Sequence, residues 1–264
     1  MAIDNPAFSR NDAFSKQRVA TVSATDLQEM YDRPSAPEPV REVMTVEGTI
    51  QKSVISFGVM LVAAAIGWFT ADMYLWVLGG IAGFVLALVN SFKKEPSPAL
   101  ILAYAGTQGL FVGGISALFG AVADGAVSQA VIATLVVFGV TLALFASGKI
   151  RASKKATKIF LIAMVGYAVF SLVNIVLMWT GVSTDPWGLR GGDFFGIPIA
   201  LLLGVLVVIM AAYSLVLDFD FIKQGVDNKA PAKYQWTGAF GIMVTVVWLY
   251  VELLRMFAIL QSND

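Results

Sequence analysis

Neither cysteine nor histidine occurs among the 264 residues. Without thiols the chain cannot form a disulfide, a thiolate metal site, an iron–sulfur cluster or a cysteine nucleophile. Without imidazole it lacks the commonest general base, zinc ligand and proton switch near neutral pH. Charge is scarce as well: 14% of residues are charged and 58% hydrophobic, against about a quarter charged and half apolar in a soluble domain. That balance excludes a soluble enzyme. Any acid, base or ion-ligand chemistry falls to carboxylates, amides, hydroxyls and backbone oxygens. Gly-x-Ser-x-Gly and His-Glu-x-x-His are both missing, and no intramembrane Gly-Asp protease constellation is present. The chain is therefore expected not to be an enzyme and to carry no metal centre or cofactor. Gly191-Gly192-Asp193 reads as a loop whose aspartate caps the sixth helix.

What charge there is falls unevenly. Residues 1–53 hold 14 of the 36 ionisable side chains. This stretch has no apolar run of the length a secretory signal needs, so it is expected to stay whole. It also holds four of the nine prolines, Pro6, Pro34, Pro37 and Pro39. Residues 1–40 read as largely disordered, with a short helix around Ala24–Tyr31.

Beyond Met44, apolar segments recur at spanning length, about 20 residues for a ~30 Å hydrocarbon core. There are seven: Ser53–Ala71, Met73–Phe92, Ala99–Val122, Ala126–Ser147, Thr157–Gly181, Phe194–Phe221 and Trp236–Leu260. They lack the alternation of barrel strands, and lipid cannot satisfy open backbone groups, so they are helices. The expected fold is all-α: a tail over residues 1–44 and a seven-helix membrane domain over residues 45–264. The first two spans leave room only for a tight hairpin at Asp72. Glycine pairs at four-residue spacing, Gly79/Gly83, Gly109/Gly113 and Gly192/Gly196, predict close helix approach within one bundle, with a dimer interface as the alternative.

Sorting the cations by loop orients the chain. The tail through Lys52 carries six, the second loop Lys93 and Lys94, the fourth Lys149, Arg151, Lys154, Lys155 and Lys158, and the sixth Lys223, Lys229 and Lys233. Together these are 16 of the 18 cations. The opposite loops offer Arg190 beside Asp72, Asp124, Asp185 and Asp193. The positive-inside rule then puts the N-terminus in the cytoplasm and the C-terminus on the far side of the membrane, which is expected to be the plasma membrane of the cell. These lysines face anionic lipid and imply no nucleic-acid partner.

Ionisable residues inside the spans are costly and therefore candidates for function. Four qualify: Asp218, Asp220, Glu252 and Arg255. Asp218 and Asp220 sit about 200° apart on one helix, so one points into the bundle and the other toward headgroups or a loop. Glu252 lies well inside the last span, and Arg255, three residues on, could neutralise it as a structural pair. Burial and nearby cations act on such carboxyls in opposite senses, so Asp218 or Glu252 is where a histidine-free chain would exchange protons. Carboxylate and backbone oxygens would also suit a hard cation such as Ca²⁺.

Three segments carry a family resemblance. Tyr104-Ala105-Gly106-Thr107-Gln108-Gly109, continuing through Gly113-Gly114-Ile115-Ser116, is similar to a third-helix pattern of tyrosine, glutamate-glycine, then glycine and serine. Leu217-Asp218-Phe219-Asp220 resembles a sixth-helix Tyr-Asp-Thr-Gln motif, and Leu249-Tyr250-Val251-Glu252 a seventh-helix Leu-Tyr-Leu-Asp motif. In this order they resemble the bacterial members of the Bax inhibitor-1/YccA-like (transmembrane BAX inhibitor motif) family. The resemblance covers everything after the tail. It implies a bundle with the last helix central and an acidic pair on helices six and seven acting as a pH-sensitive latch on calcium leak, here Asp218 and Glu252. It also marks Gln108 and Tyr104 as a polar site on helix three. Gln108 departs from the family glutamate and cannot titrate, Asp220 replaces a glutamine, and Arg255 stands beside the seventh-helix acid. A straight last helix puts Glu252 about 24 Å from the cytoplasmic edge at ~1.5 Å per residue, with Asp218 near that edge. Contact between the two would need a bent helix six or a Lys233 to Thr245 segment that is partly peripheral, and Asp218 would otherwise pair elsewhere, for instance with the Lys149 to Lys158 loop.

Two functions follow as expectations. One is proton-gated permeation of a cation, Ca²⁺, controlled by buried carboxylates. The other is an accessory role through contact with a membrane protease or another membrane complex, suggested by the tail, the small-residue faces and family members that modulate proteolysis. The partners expected are the lipid bilayer, Ca²⁺ and protons, and in the second reading a membrane protein.

Overall fold

The computed structural model describes Ser23, Thr25, Gln28 and residues 42–262. The expected tail disorder lies outside these residues. Of the expected Ala24–Tyr31 helix only Thr25 and Gln28 fall inside them, and both are helical. From Glu42 onward the chain is one compact unit built on seven long helices: α1 (Val46–Thr70), α2 (Met73–Phe92), α3 (Pro98–Val122), α4 (Ala126–Ala146), α5 (Lys154–Trp179), α6 (Ile199–Asp227) and α7 (Gln235–Ser262). Seven helices over these segments are long and apolar enough to cross a membrane, with mean hydropathy from 1.4 to 2.8. The described strands are two-residue pieces, β1 (Asp193–Phe194) and β2 (Ile197–Pro198), paired antiparallel between α5 and α6.

Local chemistry sets the helix ends. Thr45 caps α1 by accepting from the Gly48 N–H at 3.0 Å, and Ser153 caps α5 by accepting from the Ala156 N–H at 3.2 Å, each satisfying a donor that a helix start leaves open. Between α1 and α2 only Ala71 and Asp72 remain. Ala71 adopts φ 46° and returns its N–H to the Gly67 carbonyl, while the Asp72 carboxylate accepts from the Tyr74 and Leu75 N–H groups.

Two boundaries of the sixth span differ from the sequence reading. Its start at Phe194 is replaced by the hairpin, because Phe195 and Gly196 take positive φ values of 53° and 79° and Pro198 occupies the N-cap. Asp193 therefore lies in β1 and caps no helix. The helix also ends later, at Asp227 rather than Phe221. Lys223 interrupts the apolar run without breaking the helix and pairs with Asp227 one turn on at 2.5 Å. The tail boundary shifts slightly too. Residues 42–44 belong to the bundle: the Met44 N–H donates to Ala230 O at 2.7 Å, the Ala232 N–H to Glu42 O at 2.9 Å, and the Met44 side chain is buried.

Helix α7 is central. In its most apolar window 72% of residues are buried, against 6% in α5, and Met243, Leu249, Leu254 and Ile259 are almost completely enclosed. Lipid tails are as apolar as leucine, so close packing rather than expulsion from water holds such helices together. Two of the glycine pairs provide that closeness. A Cβ on Gly109 or Gly113 would overlap α1 backbone at Met60 and Ala64, and one on Gly79 would meet the Thr107 carbonyl at 2.8 Å. These faces are spent within the chain. The third pair serves no helix contact: Gly196 sits at the hairpin turn with nothing within 4 Å of its would-be Cβ.

Candidate functional site

The four candidate ionisable residues separate into two places. Asp218, half-buried on α6, faces α7. Its Oδ2 accepts from Thr245 Oγ1 at 2.7 Å, and the Thr245 and Ser214 hydroxyls lie 3.1 Å apart. Gly241 makes room for it, since a Cβ there would stand 2.8 Å from Asp218 Oδ1. No ion pair reaches Asp218 among the described residues, including any from the Lys149 to Lys158 loop. Because α6 continues to Asp227, Asp218 lies nine residues, about 13 Å, from that helix end. Asp220 turns the other way, where its Oδ2 accepts from the Gln224 side chain at 2.7 Å.

Glu252 is held at the other place, between two arginines. Arg190 Nη1 donates to Glu252 Oε2 and Arg255 Nη1 to Glu252 Oε1, each at 2.9 Å. The Arg190 and Glu252 side chains are 7% and 9% exposed, whereas Arg255 is 29% exposed. Arg190 had counted as an ordinary loop cation. Instead a one-turn 3₁₀ helix, Gly188–Arg190, inserts it into the bundle, 62 residues away from Glu252 in the chain.

The remaining Arg190 donors go to α5: Nη2 donates to Tyr167 Oη at 2.7 Å and to Ser171 Oγ at 3.2 Å. One turn further, Asn174 Oδ1 accepts from the Leu189 N–H at 2.7 Å. The Glu252 carboxylate and the Tyr167 hydroxyl compensate the buried Arg190 guanidinium. With two guanidiniums on one carboxylate, the cluster carries a net positive charge. Ala200, Gly204, Met256 and Ile259 line the small space beside this cluster.

One readable signal for it existed. Tyr167, Ser171 and Asn174 fall four and three residues apart, a polar stripe along one face of an otherwise greasy helix. Asn174 is the buried residue of α5.

The latch expected from the family resemblance is not closed by contact. No hydrogen bond or ion pair joins Asp218 to Glu252, and Thr245, which holds Asp218, precedes Glu252 by seven residues, about 10 Å along α7. The helix-three residues form a third locality. Tyr104 is buried edge-on against Phe240, with ring centroids 5.2 Å apart, and the buried Gln108 amide lies over Gly83, where a Cβ would collide with it. Two turns and more beyond Gln108 along the α3–α7 contact, the Ser116 and Tyr250 hydroxyls share a buried hydrogen bond of 2.6 Å. Among the described residues no group of three or more carboxylates could hold a metal ion.

Seven spanning helices, six of them arranged about the last, with acidic residues on the final two, define a polytopic membrane protein of the all-α class. The family model described as Bax inhibitor 1 like matches residues 5–262, and the chain belongs to that family. No curated protein matches it.

Proposed function

We propose that this membrane protein permits proton-sensitive passage of a cation such as Ca²⁺, through two separate devices instead of one acidic latch. The observation that carries the reading is Asp218: a half-buried carboxylate on a spanning helix, held by one hydroxyl and with no cation facing it among the described residues. An uncompensated carboxylate in such a setting is expensive when ionised, so a proton or a passing cation stabilises it. Glu252 is unsuited to that task, because two guanidiniums already occupy its oxygens and repel a further cation. In this reading the Arg190–Glu252–Arg255 cluster closes the end of the bundle opposite the lysines, and Asp218 senses protons nearer the lysine-rich end. By the distribution of cations, the Asp218 side is cytoplasmic.

The test is Ca²⁺ entry into proteoliposomes measured across a pH series. Wild type should admit Ca²⁺ in a pH-dependent manner, and Asp218→Asn should flatten that dependence. Absence of wild-type flux, or an unchanged profile in Asp218→Asn, would sink the reading.

A further inference from the structure

Beside the start of α5 the bundle opens sideways into a groove of about 600 Å³. Lys154 and Lys158, one helical turn apart, line the α5 wall, and Asp220 lines the α6 wall. Leu161, Ile162 and Leu217 continue the groove as an apolar trough. Among the described residues neither lysine forms an ion pair, and Asp220 meets no cation, only the Gln224 amide at 2.7 Å. Charges of both signs thus stand in one groove without neutralising each other. At the head of the groove the Tyr213 hydroxyl joins α6 to the start of α5, 2.8 Å from Thr157 Oγ1 and 3.2 Å from both the backbone nitrogen and the carbonyl oxygen of Ser153.

We propose that the groove seats one phospholipid with a primary-amine headgroup. Its phosphate lies between Lys154 and Lys158, its ammonium donates to Asp220, and an acyl chain runs along Leu161, Ile162 and Leu217. Each part of the lipid meets its complement. A headgroup of glycerol offers Asp220 no cation, and a quaternary choline offers it no N–H donor. The groove is open along its side, with Leu161 and Ile162 exposed, so it takes the headgroup and one chain while the rest of the lipid stays in the bilayer that supplies it. The inference stands independently of cation permeation.

Native mass spectrometry of the full-length protein, titrated with phosphatidylethanolamine, phosphatidylglycerol and phosphatidylcholine of matched chains, tests it. Wild type should retain one phosphatidylethanolamine in preference to the other two. Lys154→Ala with Lys158→Ala should weaken retention about tenfold or more, since each lysine adds to headgroup attraction. Asp220→Asn should weaken phosphatidylethanolamine retention, strengthen that of anionic phosphatidylglycerol by removing a repulsion, and so remove the preference for the amine. Leu217→Trp, which fills the trough without altering charge, should displace the lipid and provides a second arm if the lysine variant does not fold. Equal retention of all three lipids, variants that retain lipid as wild type does, or inorganic phosphate competing as well as the lipid would each overturn the proposal.

Discussion

Replacing Arg190 by alanine removes a cation that joins three parts of the molecule: the α5–α6 connection that carries it, Glu252 of α7, and Tyr167 with Ser171 of α5. Taking one partner from a buried ion pair costs about 3–5 kcal/mol, because the other charge is left in a poor solvent. Here Arg255 still donates to Glu252 at 2.9 Å, so the penalty should be roughly half, about 2 kcal/mol. For a domain of this size that is a fall in melting temperature of about 4–8 °C. Thermal unfolding of the purified protein in detergent reads it directly. The same substitution in a Glu252→Gln background should cost clearly less, since the charge that Arg190 compensates is gone. A shift smaller than about 1 °C, or an equal shift in both backgrounds, would refute the assignment of Arg190 as the buried partner of Glu252.

Other outcomes follow from the same contacts. Gly113→Ala puts a methyl into the Ala64 backbone of α1 and should destabilise by about 1–3 kcal/mol, whereas Gly106→Ala, with nothing within 4 Å, should be tolerated; melting temperatures of the two distinguish them. The Glu95 carboxyl, in the loop between α2 and α3, is held below its ordinary range first by the hydrogen bond and then by the charge of Lys233. Its contribution should be present above that range and lost as pH falls through the lowered value, so a stability series against pH should show a wild-type advantage over Glu95→Gln that disappears in acid. Deleting residues 1–40 should leave Ca²⁺ flux in proteoliposomes intact, while loss of flux together with loss of a co-purifying membrane protein would favour an accessory role.

Much of the architecture could be read in the sequence because lipid imposes a simple rule: long apolar runs become helices, and charges sort to the ends. The Asp72 hairpin and the glycine contacts of α1, α2 and α3 follow from spacing alone. The limits of α6 do not. Hydropathy cannot tell the greasy hairpin around Phe195 and Gly196 from a helix start, nor can it see that the helix persists through Lys223 to Asp227. Arg255 beside Glu252 was legible because three residues on a helix are neighbours. Arg190 was not, because a loop residue 62 positions away from Glu252 reaches it only through tertiary structure. The polar stripe of Tyr167, Ser171 and Asn174 was the available hint that something polar enters there. Asp218 and Asp220 had to point in different directions, but that a threonine, not Glu252, would meet Asp218 depended on the relative depth of two helices.

The most direct measurement compares the pH profile of Ca²⁺ flux in Asp218→Asn and Glu252→Gln proteoliposomes side by side. Two separate devices predict that Asp218→Asn loses the pH dependence, while Glu252→Gln raises or lowers the amount of flux and keeps the dependence. Identical profiles in the two variants would mean that the carboxyls act as one unit, contradicting their separation.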